Sequence, residues 1–127
     1  ICLGMQLLFE ESEEYGLHRG LGLLQGKVVA MEGRLPQGLP IPHIGWNGLK
    51  LTAPACPLFR DTKEGDCVYF VHSFYAEGCE ESLAATAEYG LDLTAAVWKG
   101  NVYGCQFHPE KSGTVGLNML RAFVEEG

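Results

Sequence analysis

The sequence predicts an α/β domain, and three observations carry that expectation. An apolar stretch near the start runs into a row of acids, as in a helix buried at one end; the glycine-dense middle holds short β-branched and aromatic runs; and apolar residues recur at helical spacing near the end. The first helix is expected over Leu3 to Glu14, with Leu7, Leu8 and Phe9 ahead of the acids. Gly16, Gly20, Gly22 and Gly26 then punctuate the chain, and Lys27 to Met31 reads as a strand between turns. Pro36, Pro40 and Pro42 make Leu35 to Pro42 a loop, because proline has no amide proton to give to a helix or ladder. "HIGWNGLKL" resumes an extended pattern, "DCVYFVHSFY" has the composition of a central strand, and "SLAATAEYG" reads as another. "TAAVW" and "VYGCQF" flank Lys99-Gly100-Asn101, which predicts a β-hairpin. Ser112 is placed to cap a last helix whose apolar stripe is Leu117, Leu120, Phe123 and Val124.

Length and composition bound the function. The 127 residues fit a single domain, residues 1–127, without internal repeat or linker. No apolar run approaches the roughly 18 residues of a membrane span, so no membrane segment is expected. Nine basic against sixteen acidic side chains give a net charge of -7, which repels a phosphate backbone and points away from nucleic acid. The five cysteines, Cys2, Cys56, Cys67, Cys79 and Cys105, are odd in number and show no CxxC pair, so a reducing cytoplasm is expected. Neither a metal site nor a phosphate-binding glycine loop is visible, and no cofactor is expected.

Two short stretches carry chemistry. In "ICLGMQ", a strand running into Cys2 and a helix leaving it would place the thiol on an elbow, with Gly4 keeping the turn uncrowded. The helix start would favour thiolate, and the Leu3 amide could donate to a developing oxyanion. On these residues alone, a buried structural cysteine is the commoner outcome. In "QFHPEKS", Pro109 pushes His108 to extended backbone, and on an extended segment residues two apart project to one side, so His108 and Glu110 can meet. Glu110 could then hold the imidazole in the tautomer that takes a proton from Cys2. A polar turn after a strand fits the same residues. His18, His43 and His72 have no acid two residues away and read as exposed or structural histidines.

Together "CLGMQ", "QFHPEKS" and the order Cys, His, Glu resemble the class I, or triad, glutamine amidotransferases. Within that family "PHIGWN", "YFVHSFY" and "HPEKSG" look closest to the branch serving as glutaminase subunit of imidazole glycerol phosphate synthase. The resemblance implies a flavodoxin-like fold, with a mostly parallel central sheet flanked by helices, and hydrolysis of glutamine by Cys2, His108 and Glu110. It implies contacts to the glutamine amino acid moiety from Gln6 and Glu14 on the first helix and from Ser73 and Phe74. It further implies a heterodimer with a partner cyclase subunit, which uses the ammonia in histidine biosynthesis, with His43, Trp46, Asn47 and Lys111 as interface or gating candidates.

Family members reach the nucleophile after a strand and a glycine-rich loop that helps to form the oxyanion site. Here the elbow cysteine is residue 2 and no initiator methionine precedes it. The expectation is a carboxy-terminal portion of a longer enzyme, with little glutaminase activity unaided, since loss of one oxyanion donor costs about 2.7 to 4 kcal/mol. Two other readings remain: the amidotransferase domain of another synthase or a γ-glutamyl hydrolase, and a non-catalytic binding module.

Overall fold

The computed structural model describes residues 1–126. In chain order it forms α1 (Leu3–Gln6), β1 (Glu11–Ser12), β2 (His18–Arg19), β3 (Lys27–Ala30), β4 (His43–Gly48), β5 (Lys50–Leu51), β6 (Cys67–His72), β7 (Phe74–Glu77), β8 (Leu83–Glu88), β9 (Asp92–Lys99), β10 (Val102–Cys105) and α2 (Gly113–Glu126). Short 3-10 turns lie at Pro57–Phe59 and Pro109–Lys111. The strands make two four-stranded sheets, β2-β1-β3-β7 and β10-β9-β8-β5, and a two-stranded ribbon, β4-β6.

Helices and sheets give the expected α/β class, but strand direction differs from the expectation. Among the described residues only β1 and β3 pair in parallel, and every other pairing is antiparallel. Parallel neighbours need a crossover, usually a helix, whereas here short connections return the chain beside itself at β1–β2, β8–β9 and β9–β10, and β3–β7, β4–β6 and β5–β8 pair strands distant in sequence. The β9–β10 hairpin is the clearest case: Lys99 faces Val102, and Gly100-Asn101 closes the turn as expected.

The first helix is one turn long and does not reach Glu14. Backbone amides of the glycine-rich segment explain the stop: Leu21 donates to Leu7 O at 2.8 Å, Leu24 to Leu8 O at 3.0 Å and Gly22 to Phe9 O at 3.1 Å. The carbonyls that would continue the helix are thereby taken. Gly20 permits this approach, because a Cβ there would collide with the Phe9 carbonyl. Phe9, Met5 and Leu24 close into a core with Val28, Ala76 and Val97.

"DCVYFVHSFY" is not one strand. It breaks at Ser73 into β6, paired with β4, and β7, paired with β3. The last helix forms as expected but buries a different face. Gly116, Met119 and Ala122 are buried, while Leu117, Phe123 and Val124 are exposed. A Cβ at Gly116 would collide with the Pro109 carbonyl, so the helix presents its smallest residue to the turn that follows His108. Small residues thus decide the face against the larger apolar stripe. No helix among the described residues is long and apolar enough to cross a membrane.

Candidate active site

Cys2 stands at φ 53° and ψ -113°, a left-handed conformation that L-residues seldom adopt. Such backbone costs on the order of 1–3 kcal/mol and concentrates at functional sites. Its amide donates to Cys105 O at 2.7 Å, which pins the elbow to the end of β10, and its carbonyl accepts from Gln6 N at 3.2 Å as α1 begins. The Leu3 amide makes no hydrogen bond among the described residues and is left as a donor. A Cβ at Gly4 would meet nothing, so relief of crowding is not its role. With α1 a single turn, its dipole gives the thiol less than the long helix expected from the sequence.

His108 is extended, at φ -106° and ψ 97°, and its Nδ1 lies 2.9 Å from Glu110 Oε2. The pair meets as expected, but not along an extended segment: the chain turns into the 3-10 turn Pro109–Lys111, which folds Glu110 back to His108. The imidazole side chain is 20% exposed and the carboxylate 47%. Burial acts most strongly on Glu110 and raises its pKa, but its own backbone amide, His108 and Lys111 together outweigh that, leaving the carboxyl below its ordinary value. An ionised Glu110 accepts Nδ1–H, so the lone pair of His108 sits on Nε2.

The segment that carries His108 is clamped to β6. His108 N donates to Tyr69 O at 3.0 Å, Tyr69 N donates to Ser112 Oγ at 3.0 Å, and Ser112 Oγ donates to His108 O at 2.6 Å. Ser112 therefore does not cap α2 through its side chain. Its hydroxyl closes this ring, and only its carbonyl serves the helix, accepting from Gly116 N.

No hydrogen bond joins His108 to Cys2 among the described residues. The sulfur has a different neighbour, Gln106 Nε2, at 3.6 Å. Gln106 is fully buried, and sequence reasoning misses it. A signal exists, since Gln106 stands two residues before His108 as Glu110 stands two after.

This arrangement joins a strained cysteine elbow, a buried glutamine at its sulfur and a paired histidine and glutamate. The family model described as glutamine amidotransferase class-I matches residues 1–126. The chain belongs to that family. Among curated relatives, imidazole glycerol phosphate synthase subunit HisH of Bacillus licheniformis is 57% identical over 98% of this chain and 59% of its own length. The proteins of that name from Geobacillus kaustophilus and Bacillus subtilis are 53% and 52% identical over the same shares. The chain thus spans about three fifths of the length of these relatives. A crystal structure assigned as a GMP synthase component, from Thermoplasma acidophilum, superposes with a TM-score of 0.61 at 18% identity, over 79% of this chain and 47% of that one. This last likeness concerns the fold alone and agrees with the amidotransferase architecture.

The remaining candidate substrate contacts of this amidotransferase chain fall into three groups. Gln6 is buried beside the elbow and spends its amide on Phe74 O at 3.3 Å and Gln106 Oε1 at 3.1 Å. Ser73 and Phe74, both half-buried, lie at the β6–β7 break. Glu14 is not on the first helix. It follows β1 in a turn, half-buried, with its amide bonded to Ser12 Oγ.

On β4 the alternation of a strand separates the interface candidates. Trp46 is 58% exposed, with Ile44 on the same side, and packs edge-on to Tyr69. His43 points the other way, buried between Phe70 and Tyr89 with its Nδ1 at 3.0 Å from His72 Nε2. Asn47 donates to Glu88 O at 2.8 Å and to His43 Nε2 at 3.3 Å, and Lys111 is exposed beside Glu110. Burial lowers the pKa of both histidines, that of His72 to about 4, which leaves this pair neutral near pH 7. His18 is exposed and bonds Tyr15 O. Burial raises the thiols of Cys56, Cys79 and Cys105, the last to about 12, which removes them as nucleophiles.

Proposed function

We propose that this chain carries the nucleophile, base and orienting acid of a glutaminase that feeds ammonia to a cyclase subunit of imidazole glycerol phosphate synthase. The observation that carries the reading is Cys2, held in left-handed backbone against the strand that leads into the His108–Glu110 pair. Cys2 Sγ attacks the side-chain carboxamide carbon of glutamine, and its proton passes to His108 Nε2. The tetrahedral oxyanion takes a hydrogen bond from the Leu3 amide. As the C–N bond breaks, His108 returns the proton to the departing ammonia, leaving a γ-glutamyl thioester. Water, deprotonated by His108, then hydrolyses the thioester to glutamate and free thiol. Glu110 keeps the imidazole in the right tautomer and offsets the charge of the imidazolium.

Substrate contacts follow from placement. Both amide hydrogens of Gln6 are engaged, so its Oε1 is the atom left for the ammonium of the substrate, with Glu14, Ser73 and Phe74 as further contacts to the amino acid moiety. The names of the relatives favour the cyclase as partner, and the exposed Trp46 suits its surface, with His43, Asn47 and Lys111 behind or beside it. Five free thiols accord with a cytoplasmic enzyme. The test is glutamate release by the complete gene product together with the cyclase subunit. Cys2→Ala is expected to lower it by roughly 10³-fold or more. Release unchanged by that substitution would refute the reading, and release stimulated only by a different acceptor would replace the cyclase.

A further inference from the structure

We propose that Gln106 holds the sulfur of Cys2 for reaction, and that Gln6, anchored on the Phe74 carbonyl, sets the orientation of its carboxamide. The proposal rests on the reading of Cys2 as the nucleophile and adds a group to it.

A fully buried carboxamide must find partners for both ends. Gln106 Oε1 accepts from Gln6 Nε2 at 3.1 Å, which turns its NH₂ toward Cys2 Sγ at 3.6 Å. A half-turn of the amide would fill the same space, yet it would set NH₂ against NH₂ at Gln6 and oxygen against sulfur at Cys2. What prevents the half-turn is Gln6, and Gln6 in turn is fixed by Phe74 O, a carbonyl that can only accept. That carbonyl also receives His72 Nδ1–H at 2.9 Å. His72 is thereby the Nδ1–H tautomer, its Nε2 accepts from His43 Nδ1 at 3.0 Å, and His43 Nε2 accepts from Asn47 Nδ2 at 3.3 Å. His72 and Gln6 thus both donate to Phe74 O, which fixes each of them separately, and only the arm from Phe74 O through Gln6 and Gln106 leads to the sulfur.

The consequence lies at the sulfur. A hydrogen bond donated to a thiolate is stronger than one donated to a thiol, so an NH₂ aimed at Cys2 favours the reactive form and fixes its position. An oxygen turned toward it would do the reverse. Gln106 touches the reacting atom and is a catalytic residue in this scheme, whereas Gln6 is a positioning residue that acts through it.

The test uses the complete gene product with its cyclase and reads two quantities, the rate of Cys2 alkylation by iodoacetamide at pH 7 and the kcat and KM for glutamine. Gln106→Met keeps length without a donor and is expected to slow alkylation and kcat by about tenfold with KM unchanged. Gln6→Leu removes the donor that holds Gln106 Oε1 and should slow alkylation several-fold, a readout that needs no glutamine and so is independent of any contact of Gln6 with the substrate. In the unsubstituted protein, the Gln106 side-chain amide resonance should move when Cys2 is alkylated, a readout independent of how the variants fold. Wild-type alkylation in a folded Gln106→Met or Gln6→Leu protein, or an unmoved Gln106 resonance, would overturn the proposal. Full glutaminase activity in Cys2→Ala would instead overturn the functional reading beneath it.

Discussion

Ser112 shows how much one hydroxyl can position. It donates to His108 O and accepts from Tyr69 N, so Ser112→Ala leaves a backbone amide of β6 without its partner and frees the segment that bears the base. A loss of about 1–3 kcal/mol in urea denaturation is expected, with kcat for glutamine reduced and KM little changed. Glu110→Gln tests the other side of His108. The carboxamide keeps the shape but loses the charge that fixes the Nδ1–H tautomer, and kcat should fall by roughly 10²–10⁴-fold. At this scale the sequence is legible where a backbone rule governs it. Pro109 forces His108 into extended backbone, and the 3-10 turn that starts at Pro109, rather than the period-two geometry the sequence suggested, brings Glu110 to 2.9 Å. Ser112 looks like a helix cap in the sequence because its real partner, Tyr69, is distant along the chain. Gln106 escapes notice because its partners, Cys2 and Gln6, lie at the other end of the chain.

Among the elements, strands and the hairpin are legible from local pattern, while the helices are altered by contacts that no local pattern contains. The first helix stops because the Gly20–Leu24 backbone takes its carbonyls, and α2 turns its smallest face inward because Gly116 meets Pro109. Gly116→Ala should therefore push α2 off the 3-10 turn that carries Glu110, with a lower melting temperature and weaker glutaminase activity together. The β4–β6 ribbon carries its own pH signature. The unfolded chain takes up a proton at His72 near pH 6.5, but the folded protein does not until about pH 4, so the unfolded state binds more protons between those values. Stability is accordingly full above pH 6.5 and falls as the pH drops toward 4, by roughly 3 kcal/mol. His43, lowered by burial as well, acts in the same direction. Urea midpoints measured between pH 7.5 and 4.5 should show this slope, and His72→Asn should flatten it.

At the scale of the whole molecule, the candidate site depends on bringing Cys2 to the end of β10. The Cys2 amide bonded to Cys105 O, with the sulfur against Gln106, joins residues about a hundred positions apart and sets Cys2 beside the strand that leads to His108. Membership of the class I glutamine amidotransferases supports the proposed catalytic reading of that junction. The central claim is that Cys2 alone among the five cysteines is the nucleophile. Its most direct test is to treat the complete gene product with a glutamine analogue bearing a chloromethyl ketone in place of the carboxamide, and to locate the adduct by peptide mass spectrometry. The account predicts one adduct, on Cys2, prevented by excess glutamine. An adduct on the exposed Cys67 instead, or labelling of Cys2 that glutamine does not prevent, would contradict it.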